Sequence, residues 1–391
     1  MNTTETYLYL ISCVLNGEAA SVEQADFDAL WALAQGHNLT ALTAKALSNT
    51  AAFKNAGEKE RFRWNNALNN NVKKTMLFDA ERKKLFGFFE ENGIWYLPLK
   101  GAVINGLYPS YGTREFADND ILIDSTRCGD AKKYLLEHGY EFRSDEFNSD
   151  EYSKQPFYNF ELHRTLAKKT PGHEAAYDYY KDVKSRLLPA EGTKYGCLFS
   201  NEDFYIYFIF HAFKHYDGRG TGFRTVADEY VLLNNSRIKP DFSKIESILE
   251  TLGLSEFERA LRGLASKLLC EPEKTPEQKL EQLNDDEREM LKFILSCSTF
   301  GSMDNMFQKE FEKLSAGKNM SSRQYYLKRL FPPISRYKYT NPFVYKHRVV
   351  YPFFLVYRLA VNPIKHRKYL KEEREAIKRL EQQSKSGNKE N

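Results

Sequence analysis

The chain is defined first by what it has little of. Cysteine is scarce: Cys13, Cys128, Cys197, Cys270 and Cys297 are scattered, odd in number and without metal-ligand spacing. That excludes a disulfide framework and a cysteine zinc module, and makes free thiols in a reducing cytoplasm the expectation. Long apolar runs are missing as well. The longest near the C-terminus, Val349 to Tyr357, falls well short of the roughly twenty residues a spanning helix needs, so no integral membrane segment is expected. Met1 to Thr6 is polar and opens no charged-then-apolar leader, which again favours a cytoplasmic protein. Net charge is small, +4 from 57 basic and 53 acidic residues, so the balance gives no argument for nucleic acid. Internal repeats are absent too. At 391 residues, the chain is long enough for two or three units with real cores.

What is present begins with helical periodicity over residues 1–90. Phe27, Leu30, Trp31, Ala34 and Leu39 recur at helical spacing, as do Phe78, Leu85, Phe86, Phe88 and Phe89, and Asn92-Gly93 ends the pattern. Short apolar strands follow at Trp95–Leu99, Asp120–Ile123 and Tyr158–Leu162, with a helix from Cys128 to His138 between them. From about residue 200 the pattern turns helical again, and Glu271 to Arg288 reads as a loop and a helix start. Residues from about Ser384 read as a frayed end. The fold class expected is α+β, a small mixed sheet with helices flanked by helical regions on both sides.

The most informative stretch is the first pair of strands. Lys100-Gly101-Ala102 reads as a turn into a helix, Gly112-Thr113-Arg114 as a loop, and the second strand begins with Asp118 and Asp120. Carboxylates two apart on a strand share a face. Such like charges repel, and the pair suits a place where a cation sits between them; taken alone it also suits a solvated loop-to-strand junction. Oxygen-only ligands favour Mg²⁺ or Mn²⁺ and a phosphate-bearing substrate.

Leu99-Lys100-Gly101-Ala102, Arg114 and Asp118-x-Asp120 followed by an apolar strand resemble the nucleotidyltransferase superfamily with the DNA polymerase β-type fold. More narrowly, they resemble a poorly characterised bacterial nucleotidyltransferase family marked by a Leu-Lys-Gly turn ahead of R-x(3)-D-x-D. Phe27 to Leu47 is similar to that family's N-terminal helices, Phe160-Glu161-Leu162-His163 to its third-strand element, and His211-x(3)-His215 with Arg224-x(3)-Asp228 to its helical segment. Periodicity, composition and the resemblance, which spans about Phe27 to Asp228, together lead us to expect an N-terminal helical region over 1–90, a nucleotidyltransferase core over 91–195, a C-terminal helical domain over 196–335 and a basic-aromatic tail over 336–391. The resemblance implies transfer of a nucleoside monophosphate from a nucleoside triphosphate such as ATP to an acceptor hydroxyl, an EC 2.7.7-type activity.

In that chemistry Asp118 and Asp120 are the expected catalytic metal ligands, and Glu161 is the candidate third carboxylate, its neighbours Phe160 and Leu162 pointing oppositely into a core. The acidic residues of Ser144–Glu151, namely Asp145, Glu146, Asp150 and Glu151, are the competing source, although that run reads as a mobile solvated loop. Lys100 and Gly101 sit where a phosphate-binding turn belongs: glycine allows close backbone approach and lysine adds a point charge. The superfamily usually follows this glycine with serine, whereas this chain has Ala102. Arg114 either binds phosphate or braces the carboxylates. His163 shares the strand face of Glu161 and either orients it, binds a nucleotide oxygen or is structural. His211 and His215 have zinc-like i, i+4 spacing but no convincing third ligand. The resemblance instead places them, with Lys214, on a helix lining the cleft. Arg224 and Asp228 suit an intrahelical ion pair, and by resemblance they cap the cleft.

Between Arg336 and Lys371 basic residues interleave with aromatics, among them Tyr337, Phe343, Lys346, Arg348, Phe353, Tyr357, Arg358, Lys365 and Lys368. Such a stretch suits single-stranded nucleic acid or an anionic membrane surface. The plainer expectation, favoured because Glu372, Glu373, Glu375 and Glu381 soon follow, is aromatics packed on the body and charges in water. A small-molecule or protein acceptor is therefore favoured over RNA, with at most a weak anionic-surface contact by the tail. The alternative function is a catalytically degenerate relative that binds a nucleotide and acts as a regulatory or interaction module; γ-phosphoryl transfer is a third possibility on the same fold.

Overall fold

The computed structural model describes residues 1–116, 118–146, 148–297, 301, 303–315, 320–365 and 367–387. The N-terminal periodicity forms helices α1 (Thr3–Leu15), α2 (Phe27–Gly36), α3 (Thr40–Leu47) and the short α4 (Ala51–Lys54). Asn2 and Glu5 form a reciprocal capping box that starts α1. The chain then enters α5 (Glu58–Glu91), 34 residues long and hence about 50 Å at 1.5 Å per residue. Trp64 of α5 is fully buried and meets Trp31 of α2 edge-on at 4.9 Å, an aromatic contact worth about 1 kcal/mol beyond its burial. Gly93, at φ +68°, ends α5 as expected.

Five strands follow: β1 (Tyr96–Pro98), β2 (Asn119–Ile123), β3 (Glu141–Glu146), β4 (Ser149–Lys154) and β5 (Tyr158–His163), with α6 (Gly101–Ile104) and α7 (Cys128–Glu137) between them. The spatial order is β1-β2-β5-β4-β3; β2 and β5 run parallel and the other neighbours antiparallel, which gives the expected mixed sheet. One expectation is corrected. Ser144–Glu146 and Ser149–Glu151 are not a mobile solvated loop but paired ends of β3 and β4, and Asp150 is buried in an ion pair with Arg164. The acidic run hid the strand because its buried partner lies elsewhere in the sequence. The side chains of Asp145 and Glu146 lie outside the described ones.

Strand alternation gives the sheet two different faces. Ile121, Ile123, Tyr152, Phe160 and Leu162 pack with Leu85 and Phe89 of α5 and Ala131 and Leu135 of α7. The other face carries Asp120, Leu122, Glu161 and His163. Over that side lie α8 (Glu174–Tyr180), a small ribbon of β6 (Leu188–Pro189) and β7 (Cys197–Leu198), and helices α9 (Asn201–Asp217), α10 (Arg224–Asn234), α11 (Phe242–Leu252), α12 (Ser255–Leu269), α13 (Pro276–Glu281) and α14 (Asp285–Ser296). Their core residues, including Ile206, Ile209, Val226 and Leu261, share one hydrophobic cluster with Tyr7, Leu10 and Ile11 of α1 and with Leu97, Leu99 and Leu122.

The last part is helical: α15 (Met303–Ser315), α16 (Ser322–Leu330), α17 (Pro342–Lys346), α18 (Tyr351–Lys365) and α19 (Arg367–Gly387). Phe307, Tyr325, Ala376 and Ile377 form a separate small core, beside which the Tyr325 hydroxyl donates to Glu373 at 2.9 Å and Arg329 pairs with Glu310 at 2.7 Å. Helix α19 runs to Gly387, and residues 388–391 lie outside the described ones. One expectation changes here. The tail packs only part of its aromatic surface: Tyr337 is buried, whereas Phe343, Phe353 and Tyr357 are exposed. The side chains of Lys365 and Lys368 lie outside the described ones.

One buried acid gives the helical core a pH dependence. The Tyr205 hydroxyl lies 2.6 Å from Glu229 and 2.8 Å from Glu258. A single hydroxyl proton serves only one of them. Burial pushes the Glu229 carboxyl up from 4.5 to about 8. The folded chain thus holds a proton that the unfolded chain releases, and this linkage costs stability as pH rises from about 4.5 to about 8. Glu229→Gln, which does not titrate, is expected to flatten that decline: melting temperatures at pH 5 and pH 8 should differ less in the variant than in the wild type.

Candidate metal and nucleotide site

A long helix holds the loop that leads into the site. Along one side of α5, Asn71 Nδ2 donates to the carbonyls of Gly112 at 2.7 Å and Arg114 at 3.3 Å, Lys74 Nζ to that of Phe116 at 2.8 Å, and Arg82 Nη1 to Asn119 Oδ1 at 2.8 Å. Phe78, on the same side, meets Phe116 edge-on at 5.0 Å. From the other direction Glu115 accepts from the Thr40 amide, at the start of α3, at 2.8 Å. Gly112 has φ +72°, and a Cβ there would meet the Val72 backbone at 2.7 Å, so both conformation and space require glycine.

The loop delivers the carboxylates to the sheet. Asp120 and Glu161 are register partners on the parallel strands β2 and β5, which places them side by side at a strand spacing of about 4.8 Å. His163 Nε2 lies 2.9 Å from Asp120 Oδ1 and 3.5 Å from Glu161 Oε1. The Ser149 hydroxyl donates to Glu161 Oε1 at 2.8 Å. Lys100 Nζ lies 3.1 Å from Asp120 Oδ2. Burial works to raise the Asp120 carboxyl, but Lys100 and the His163 hydrogen bond outweigh it and hold it well below the carboxylate range. Asp118, just ahead of β2, is pushed upward, first by the Asp120 charge and then by burial, with Glu161 adding to both.

Lys100 itself has φ +35°, a conformation rare outside glycine and of a kind that concentrates at functional sites. Gly101 follows it, and a Cβ there would come within 3.1 Å of Arg114 Nη1. Arg114 thus lies under the turn. Its hydrogen bonds go to Asp228 of α10, through Nε at 2.7 Å and Nη2 at 2.8 Å, with the Tyr108 hydroxyl donating to the same carboxylate at 2.8 Å. Nη1 has no hydrogen-bond partner among the described residues. The intrahelical Arg224–Asp228 pair expected from their spacing is replaced by this contact, and Arg224 donates to the Glu115 carbonyl at 2.8 Å.

Helix α9 faces the carboxylates from the other side. His211 is half-buried, while Lys214 and His215 keep exposed surface. Burial first and Lys100 second lower His211 well below its ordinary value and His215 to about 4. Lys214 is also lowered, by burial and then by Lys100. The two imidazoles contact each other, Nε2 to Nε2, at 3.0 Å. Among the described residues no third metal-ligand group joins them. A wide cavity of about 1210 Å³ lies on the opposite face of α9, lined by Phe213, Tyr216 and Phe293, and contains none of these groups.

A family model described as an uncharacterised nucleotidyltransferase matches residues 23–270. The chain belongs to this nucleotidyltransferase family. No curated protein and no solved structure matches the chain. The matched span contains every residue of the site just described, and it ends before α13, so the tail lies outside it.

A divalent ion is what nucleotidyltransferases ordinarily use, and the donor set fits one. Ligand atoms of Asp120, Glu161 and His163 lie within 4.8 Å of one another, and the charges of Asp120 and Glu161 both act to raise the Asp118 carboxyl. Two participants escaped sequence reasoning. Tyr207 is buried one turn before His211 on α9, its hydroxyl raised by burial and then by the charges of Asp120, Glu161 and Asp118; the spacing Tyr207, His211, His215 carried that signal. Ser149 carried none, because its strand was concealed by the acidic run.

The Arg114–Asp228 pair generates a prediction. Asp228→Ala is expected to destabilise the fold by about 3–5 kcal/mol, because it strands a buried guanidinium, whereas the double variant Arg114→Met, Asp228→Leu should recover most of that loss. Urea unfolding of the three proteins measures both.

Proposed function

We propose that the chain transfers a nucleoside monophosphate from a nucleoside triphosphate such as ATP to an acceptor hydroxyl, an EC 2.7.7-type reaction dependent on Mg²⁺ or Mn²⁺. The observation that carries this reading is the lateral pairing of Asp120 and Glu161 on parallel strands, with Asp118 crowded against them. The acceptor oxygen forms a bond to the α-phosphorus, the bond from that phosphorus to the bridging oxygen breaks, and pyrophosphate leaves with the electron pair. A divalent ion held by Asp118, Asp120 and Glu161 would supply charge stabilisation at the attacking and leaving oxygens. Glu161, fixed by the Ser149 hydroxyl, is placed to accept the proton released by the acceptor. His163 fixes the orientation of Asp120. Lys100 and Lys214 offer ammonium groups to the triphosphate, and Gly101 lets the backbone approach it. Arg114, locked by Asp228, supports the turn from beneath and keeps one N–H group for a phosphate oxygen. His211, His215 and Arg224 complete the nucleotide-binding side of the site. A small molecule or a protein side chain is the acceptor class proposed, in preference to an RNA end.

The Lys100–Asp120 ion pair favours a second reading. A lysine that neutralises a metal-site carboxylate is what a catalytically degenerate nucleotide-binding module would keep.

One experiment separates the two. The protein is incubated with each α-labelled nucleoside triphosphate, Mg²⁺ or Mn²⁺ and a cell extract, beside Asp118→Ala and Asp120→Asn. Label on an extract component with pyrophosphate release is expected. Chelation should abolish it, and each variant should lose more than about 10²-fold, since even partners of metal ligands are worth 10–100-fold. Lys100→Ala should mainly raise KM, by about 10-fold or more for one lost charge-assisted contact. Nucleotide binding without label or pyrophosphate would establish the second reading, and release of free phosphate would point to γ-phosphoryl transfer.

A further inference from the structure

The chain's small net charge conceals a strong asymmetry. Between Lys313 and Lys371 there are fourteen lysines and arginines and no aspartate or glutamate, so the +4 of the whole chain is the difference between +14 here and −10 elsewhere. This segment lies beyond the matched family span. It also holds a concentration of exposed large apolar side chains: Leu327, Leu330, Phe331, Phe343, Val349 and several on α18.

Helix α18 shows how the apolar groups are arranged. Its inner side is engaged: Leu355 is buried, Phe354 meets Tyr337 edge-on at 5.0 Å, and Arg358 donates to the carbonyls of Arg329 at 2.8 Å and Leu330 at 2.6 Å. On the outer side Phe353, Val356 and Tyr357 are 76%, 67% and 59% exposed, and Val349, one turn earlier, is 80% exposed. Positions i, i+3 and i+4 share one helix face, so these groups form a stripe. It is bordered in sequence by Lys346, Arg348, Lys365 and Arg367, with no carboxylate among them.

We propose that this face docks on an anionic lipid bilayer, with α18 lying in the interface and its apolar stripe inserted among the acyl chains. The chemistry selects that occupant. A second copy of the same face would bring two strongly basic surfaces together. Single-stranded nucleic acid would use the aromatics for base stacking but has no use for exposed Val349 and Val356, whereas a bilayer accepts aliphatic and aromatic groups alike and supplies phosphate to the surrounding cations. No helix among the described residues is long and apolar enough to cross a membrane. The contact is thus peripheral and reversible.

Vesicle flotation of the full chain tests this. With vesicles containing about one third phosphatidylglycerol, partitioning is expected to exceed that for pure phosphatidylcholine by at least about tenfold. It should fall steeply between about 0.1 and 0.5 M salt. Phe353→Ser with Tyr357→Ser should lower it by about tenfold or more while leaving the melting temperature unchanged, since both side chains already face water. Phe62→Ser, an exposed aromatic elsewhere, should have no effect. Absence of partitioning, equal partitioning into neutral vesicles, or binding unaffected by the double variant would overturn the proposal. So would a single-stranded oligonucleotide that binds the chain and keeps it from the vesicles, which would assign the face to nucleic acid.

Discussion

Crowding of negative charge on two adjacent inner strands of the sheet is the constraint on which the rest of the site depends. Asp118, Asp120 and Glu161 repel one another, and burial makes the charges of Asp118 and Asp120 more expensive. A fold that left these groups free would turn them apart into water. Here the parallel register of β2 and β5 forbids that for Asp120 and Glu161, because strand alternation aims both at one face while Ile121, Phe160 and Leu162 hold the opposite face in the core. Lys100 and His163 answer Asp120 directly, and Ser149 fixes Glu161. Asp118 has no comparable close hydrogen-bond partner among the described residues, and the Asp120 charge pushes it upward despite Lys100 and Arg224.

The remaining architecture holds that arrangement in place. Helix α5 reaches the loop of residues 112–119 through three polar side chains and one phenylalanine along a single side, so the approach to β2 is fixed at several points. The Arg114–Asp228 pair ties the same loop to α10, and α9 brings Tyr207, His211 and Lys214 over the carboxylates. Sheet, N-terminal helices and the helices after residue 200 meet in one core. The site forms only when all of these elements are in place, although its chemistry is concentrated between Lys100 and His163.

Much of this was legible in the sequence, for local reasons. The three apolar strands, the Lys100-Gly101 turn and Asp118-x-Asp120 each declare themselves within a few residues. Glu161 between Phe160 and Leu162 reveals its face by alternation alone. What escaped depended on distance along the chain. Asp228 lies 114 residues from Arg114, so its spacing to Arg224 suggested a pair within the helix that tertiary structure overrides. The β3–β4 hairpin was obscured by acidic residues, since a run of charges reads as solvent when the partner of Asp150 is not visible. The tail misled in the opposite sense: aromatic content suggested packing, yet no local rule shows that the inner face of α18 is satisfied by Phe354, Leu355 and Arg358 and leaves Phe353 and Tyr357 outside.

The most direct test of the central claim is anomalous diffraction from crystals of the full chain soaked with Mn²⁺ and an α,β-methylene nucleoside triphosphate. The account predicts manganese bound by oxygens of Asp118, Asp120 and Glu161 at about 2.1–2.2 Å, with the phosphates beside Lys100 and Gly101. A nucleotide bound there with no manganese on these carboxylates, or manganese and nucleotide both bound elsewhere, would contradict it.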